Sequence, residues 1–135
     1  MLKIKIFSPG KIKDSWLSKA LSEYEKRLSK DLVIEWFSSF EGLKKVRRFI
    51  CLDLQGEMLS SSGFSKFLYN NFEKEGARLN FVIGESEGIP QHILSKAIHR
   101  ISFSKLTFTH QMIRLILLEQ LYRAVQIEKG TAYHK

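Results

Sequence analysis

Residues 49–54 read Phe49-Ile50-Cys51-Leu52-Asp53-Leu54, an apolar run with one acid near its end and no polar alternation. A strand of this kind has no wet face and must be covered on both sides, as in a parallel sheet between layers of helices. Residues 79–83 repeat the pattern. Leu2, Ile4 and Ile6 instead alternate with Lys3 and Lys5, which predicts a strand with one wet face or one near an edge. Residues 32–37 and the triplet Ile101-Ser102-Phe103 predict two further short strands. Helical spacing fills the gaps. Leu17, Ala20, Leu21, Tyr24 and Leu28 follow Asp14 as an N-cap. Phe64, Phe67, Leu68 and Phe72 follow three serines and end at Gly76. Ile93, Leu94, Ala97 and Ile98 follow Pro90, which suits a first helical position. Strands alternating with helices predict an α/β layer fold with a mainly parallel sheet. The 135 residues fit one domain, 1–135, with no internal repeat.

A last helix, from residue 110 to about residue 127, is apolar in nearly every direction, through Met112, Ile113, Leu115, Ile116, Leu117, Leu118, Leu121, Tyr122 and Val125. Such a helix is buried on more than one side. In a chain this small the simplest account is a second subunit, a two-fold homodimer, the alternative being a helix enclosed by its own chain. Glu119 and Arg123 are spaced to pair, whereas Arg114 has no acid four residues away and is expected to be freer for a ligand or another subunit.

The charge points to a partner. There are 22 Lys and Arg against 14 Asp and Glu, a net charge of +8. That excess suits a polyanion such as RNA. Lys44, Lys45, Arg47 and Arg48 crowd one polar segment, readable as a solvated loop or as a phosphate contact. Cys51 is the sole cysteine, so no intrachain disulfide or cysteine zinc site is expected. His92, His99, His110 and His134 form no metal pattern. No signal h-region or membrane span is evident, and a reducing cytoplasmic setting is the expectation.

In open α/β sheets ligands sit beyond the carboxyl ends of strands. Leu52-Asp53-Leu54-Gln55-Gly56, Gly84-Glu85-Ser86-Glu87-Gly88 and residues 103–108 are such ends. There is no GxGxxG, no Walker loop and no Gly-x-Ser-x-Gly elbow.

The chain resembles the bacterial large-subunit rRNA pseudouridine N3-methyltransferases, minimal members of the SPOUT class. The residues that carry the resemblance are Phe81-Val82-Ile83-Gly84, Ile101-Ser102-Phe103-Ser104-Lys105, Thr107-Phe108-Thr109-His110-Gln111-Met112, Glu119-Gln120-Leu121-Tyr122-Arg123-Ala124 and Ala132-Tyr133-His134-Lys135, with Leu52-Asp53, Gly56 and Gly10-Lys11 earlier. The resemblance implies a trefoil-knotted fold and S-adenosyl-L-methionine as cofactor. Leu52, Gly84, Phe103, Ser104, Lys105, Leu106, Thr107 and Phe108 would line the cofactor site. It further implies a homodimer in which one subunit's tail completes the other's site, and a pseudouridine of 23S rRNA, methylated on the assembled ribosome, as substrate. Another RNA such as tRNA, or a non-catalytic ribosome-binding protein with this fold, is the alternative.

Within that frame His134 is the lead candidate for proton handling, since imidazole titrates near neutrality, with a phosphate or base contact as the other reading. Tyr133 can stack on or hydrogen-bond the target base. Lys135, Arg114, Arg123 and Lys11 are candidates for catalysis or phosphate contact. The chain departs from the family pattern at Glu85 and Ser86, where a glycine and often a proline are usual. It is also shorter than expected between Phe37 and Phe49, where a helix is absent. Thr109 replaces a proline and can serve as an N-cap.

Overall fold

A computed structural model describes residues 1–134. The order of elements is β1 (Leu2–Phe7), α1 (Ser15–Leu28), β2 (Leu32–Phe37), a 3-10 turn (Glu41–Lys45), β3 (Ile50–Met58), α2 (Ser61–Lys74), β4 (Arg78–Ile83), α3 (Gln91–Leu94), β5 (His99–Ser102) and α4 (His110–Lys129). The strands form one sheet in the order β2-β1-β4-β3-β5, and every pairing is parallel. The predicted α/β class is therefore the observed one.

Alternation sends neighbouring residues to opposite faces of a strand, and the two faces here meet different cover. Ile4, Ile6, Ile50, Phe81 and Ile83 pack in one cluster with Leu17 and Leu21 of α1, Phe64 and Leu68 of α2, and Leu117 and Leu121 of α4. Phe7, Phe49, Cys51 and Val82 pack in a second, smaller cluster with Leu43 of the 3-10 turn, Ile89 and Ile93. Burial pushes the Cys51 thiol up to about 12, as befits a core residue.

Helix ends follow their sequence signals in two cases. Ser60 Oγ accepts from the Gly63 amide at 3.0 Å, and Thr109 Oγ1 accepts from the Met112 amide at 3.2 Å. Asp14 occupies the N-cap position of α1, but it is its carbonyl that takes the Ser18 amide, at 3.1 Å; its side chain makes no capping bond.

Several expectations are corrected. β3 does not stop at Gln55-Gly56 but runs on to Met58, because the chain bulges between Leu52 and Glu57, both of which align with Ile101. The segment after Pro90 makes a single helical turn, since the Ile98 amide is drawn into a 2.9 Å bond with the Phe49 carbonyl. The polar segment 38–48 is not all solvated loop: its 3-10 turn buries Leu43. The last helix keeps to its expectation of being incompletely covered by its own chain. Leu117, Leu118, Leu121, Ala124 and Val125 are buried, while Met112, Leu115, Ile116 and Tyr122 stay half-buried. No helix among the described residues is long and apolar enough to cross a membrane.

Candidate functional site

The bulge of β3 and the carboxyl ends of β4 and β5 open onto one cleft of about 940 Å³. The three predicted strand-end loops meet there. Leu52 and Asp53 come from β3, Gly84 to Gly88 from the turn after β4, and Phe103, Ser104, Leu106, Thr107 and Phe108 from the segment after β5. Lys105, expected among them, is exposed and does not line the cleft.

Two glycines are needed where backbones touch. A Cβ on Gly84 would stand 2.5 Å from the Gly88 carbonyl carbon, and one on Gly56 would stand 2.7 Å from that of Arg100. Neither position has room for a side chain. The 85–88 turn is closed by the Gly88 amide donating to the Glu85 carbonyl at 2.8 Å, with the left-handed residue at Gly88, φ +83°. Among the described residues Ala77 is the sole non-glycine with positive φ. Glu85 and Ser86 thus sit in ordinary backbone regions, and the departure from the usual glycine brings no strain. After β5, Ser102 Oγ donates to the Ser104 carbonyl at 2.8 Å and Ser104 Oγ accepts from the Leu106 amide at 3.0 Å. These bonds shape the segment with local side chains.

Sequence reasoning missed part of the rim. Trp16, 54% exposed, and Asp14 line the cleft from the start of α1, and residues 110–113 line it from the first turn of α4. An exposed tryptophan in a helix's first turn was the available signal.

Arg114 is not free, contrary to expectation. It is 2% exposed. Its Nε donates to Ser8 Oγ at 2.7 Å, and its Nη2 donates to the carbonyls of Ser8, Pro9 and Gly10 at 3.2, 2.9 and 3.0 Å. Gln111 Oε1 accepts from Nη1 at 3.1 Å. Burial lowers the pKa of the guanidinium, and the negative charge of Glu85 opposes that shift. The bonds clamp the loop after β1 against α4. Lys11, next in that loop, is exposed, and its carbonyl accepts from Gln111 Nε2 at 3.4 Å.

The tail lies elsewhere. Tyr133 Oη donates to Glu119 Oε2 at 2.8 Å, and His134 Nδ1 lies 3.0 Å from Arg123 Nη1. Arg123 pairs with Glu119 at 3.1 Å, as its spacing predicted, and its guanidinium covers the Tyr133 ring. The bond to the Glu119 carboxylate pushes the Tyr133 phenol up to about 12. From Ile113, at the cleft, to Arg123 is ~15 Å along the helix at ~1.5 Å per residue. Within one chain Tyr133 and His134 therefore do not line the cleft. Lys135 falls outside the described residues. Among those described, no cluster of His, Cys, Asp or Glu could hold a metal ion.

Residues 38–134 match the family model described as "Predicted SPOUT methyltransferase". The chain belongs to the SPOUT methyltransferase family. It is 46% identical to the Ribosomal RNA large subunit methyltransferase H of Protochlamydia amoebophila (strain UWE25), over the whole of both chains. Two solved structures share the fold at low identity. One is a probable methylase family protein from Haemophilus influenzae Rd KW20, with TM-score 0.60, 10% identity, and coverage of 99% of this chain and 70% of that one. The other is a probable methyltransferase from Bordetella pertussis Tohama I, with TM-score 0.57, 7% identity, and coverage of 92% and 95%. The part of the chain that matches the SPOUT family holds all three strand-end loops, Arg114 and both described tail residues.

Proposed function

We propose that this SPOUT methyltransferase is a single-domain, homodimeric enzyme that transfers a methyl group from S-adenosyl-L-methionine to N3 of a pseudouridine in 23S rRNA on the assembled ribosome. The observation that carries the reading is the convergence of three strand-end loops on one cleft, in a chain 46% identical end to end to a ribosomal RNA large subunit methyltransferase.

The cleft suits the cofactor. Leu52, Leu106 and Phe108 offer apolar surface for a flat base, and Asp53, Glu85 and Glu87 offer carboxylates to a cationic ligand. Gly84 and Gly88 keep the turn beneath it narrow. When bound, S-adenosylmethionine supplies a methyl group activated by its sulfonium, so the protein is left to align donor and acceptor and to take the imide proton from N3. The hydrogen-bonded loops are a rigid frame for alignment. His134 is the proposed proton acceptor, and a positioned base contributes ~10²–10⁴-fold. Tyr133 is the proposed stacking partner of the target base, and Lys11, Arg123 and Lys135 are the proposed phosphate contacts. Arg114, spent on the 8–10 carbonyls, acts by holding the loop that carries Lys11.

The tail's position supports a two-chain site. It rests beyond reach of its own cleft, while α4 leaves Met112, Leu115 and Ile116 incompletely covered. In the proposed dimer a neighbouring protomer covers that surface and lends its tail to the cleft. A trefoil knot, formed as the chain returns from β5 at the sheet edge to seat α4 against α1 and α2, belongs to the same reading. Mass mapping of 23S rRNA from cells lacking the protein tests it. One methylpseudouridine should vanish and return with the gene; an unchanged methylation map overturns the reading.

A further inference from the structure

A second surface lies at the opposite end of the sheet, where a shallow pocket of about 260 Å³ is lined by Lys3, Lys5, Arg47, Arg48 and Arg78 against one acid, Glu75. We propose that this amino-end surface is a contact site for the phosphate backbone of RNA, separate from the cleft.

Its cations are arranged by the sheet. Lys3 and Lys5 share the strand face of Phe7, the face covered farther along by the 3-10 turn and α3. Lys3 aligns with Arg78 and Lys5 with Asn80 on the adjacent strand β4. Lys3 and Lys5 lie ~7 Å apart along the strand, and neighbouring strands are ~4.8 Å apart. A row of charges at these spacings suits successive phosphates better than a single anion.

One flanking arginine, Arg48, is held in place. Asn80 Nδ2 donates to the Arg48 carbonyl at 3.0 Å, and Arg48 Nε donates to Glu75 Oε2 at 2.6 Å. Lys3 pairs with Glu35 at 3.1 Å. Lys5 rests its ammonium 5.7 Å from the centre of the Phe37 ring. Among the described residues Lys5, Arg47 and Arg78 have no carboxylate partner. Three cations without carboxylate partners lining one pocket favour a polyanion. An acidic protein is the weaker match, because protein interfaces centre on aromatic and apolar anchors and only Val46 and Leu79 line this pocket as apolar residues.

The pocket lies near the start of β4 and the cleft beyond its end. From Arg78 to Ile83 the strand runs ~17 Å. One RNA touching both must be a folded or extended structure, not a lone nucleotide. The choice of RNA among polyanions rests on the rRNA reading above; the site itself does not.

The test uses the full chain and a 12-base-pair RNA duplex of arbitrary sequence, titrated by fluorescence polarisation at several salt concentrations. The variant carries Lys5→Gln, Arg47→Gln and Arg78→Gln together, and Arg47→Gln alone serves as the minimal change at an exposed position. The triple variant should bind the duplex at least about tenfold more weakly, with the slope of log affinity against log salt smaller by ~2–3. Arg47→Gln should lower that slope by ~1. In methylation of ribosomes the triple variant should raise KM with kcat unchanged. Equal affinity and slope for wild type and variants overturns the proposal, as does displacement of the duplex by polyglutamate at equal charge. Wild type that binds the duplex but leaves rRNA unmethylated sinks the proposed function and leaves this site standing.

Discussion

The two ends of the sheet are chemical opposites. At the carboxyl end, Asp53, Glu85 and Glu87 face a cleft of about 940 Å³, and glycines keep backbones within touching distance. At the amino end, Lys3, Lys5, Arg47, Arg48 and Arg78 crowd a pocket of about 260 Å³, with Glu75 in its lining and Glu35 beside it on Lys3. An all-parallel sheet makes this separation possible, since every strand starts at one end and finishes at the other. A small ligand with positive charge suits the first end and a polyanion the second. The net charge of +8 is thus an average over two unlike surfaces.

If the carboxyl end is where the chemistry happens, Gly84→Val is the most damaging change on offer. Its branched side chain meets the Gly88 backbone, and the turn must move. Calorimetry should show cofactor affinity reduced on the order of 10²-fold or more, with methylation undetectable. Wild-type affinity would detach the cleft from the cofactor. Removing Tyr133, His134 and Lys135 should come next. Methylation should fall by ~10²–10⁴-fold while cofactor binding persists. Full activity in that truncation would take the tail out of the mechanism. Arg114→Met should cost ~3 kcal/mol of stability in urea unfolding, because the Ser8 hydroxyl and buried carbonyls lose their charged donor. A loss under ~1 kcal/mol would mean that the loop after β1 holds its shape unaided.

Much of the fold was legible. Apolar runs without alternation marked β3 and β4, and helical spacing marked α1, α2 and α4. What escaped was set by contacts distant in sequence. Gly56 was read as punctuation, yet β3 continues beyond it because Glu57 and Met58 pair again with β5. Ile93, Leu94, Ala97 and Ile98 have helical spacing, but a bond to Phe49 pulls the chain into the sheet after one turn. For the cleft, reading ligands at strand ends found the three loops and missed Trp16, which the topology brings in from α1. Arg114 shows the limit most clearly. Counting acids four residues away suggested a free cation, whereas its partners are mostly main-chain carbonyls, which no residue pattern displays.

The Arg114 clamp bears on how the molecule comes into being. Ser8 and Arg114 are 106 positions apart, so the first loop, whose Ser8 and Gly10 amides bond to the nearby Phe37 and Ser38 carbonyls, gains its side-chain clamp only once α4 has been synthesised. Contacts of such long span form late and slowly. A half-made chain can start its sheet, but it lacks β5, the segment behind it and the first turn of α4, and hence half of the cavity wall. The complete cleft therefore exists only after α4 has joined the sheet.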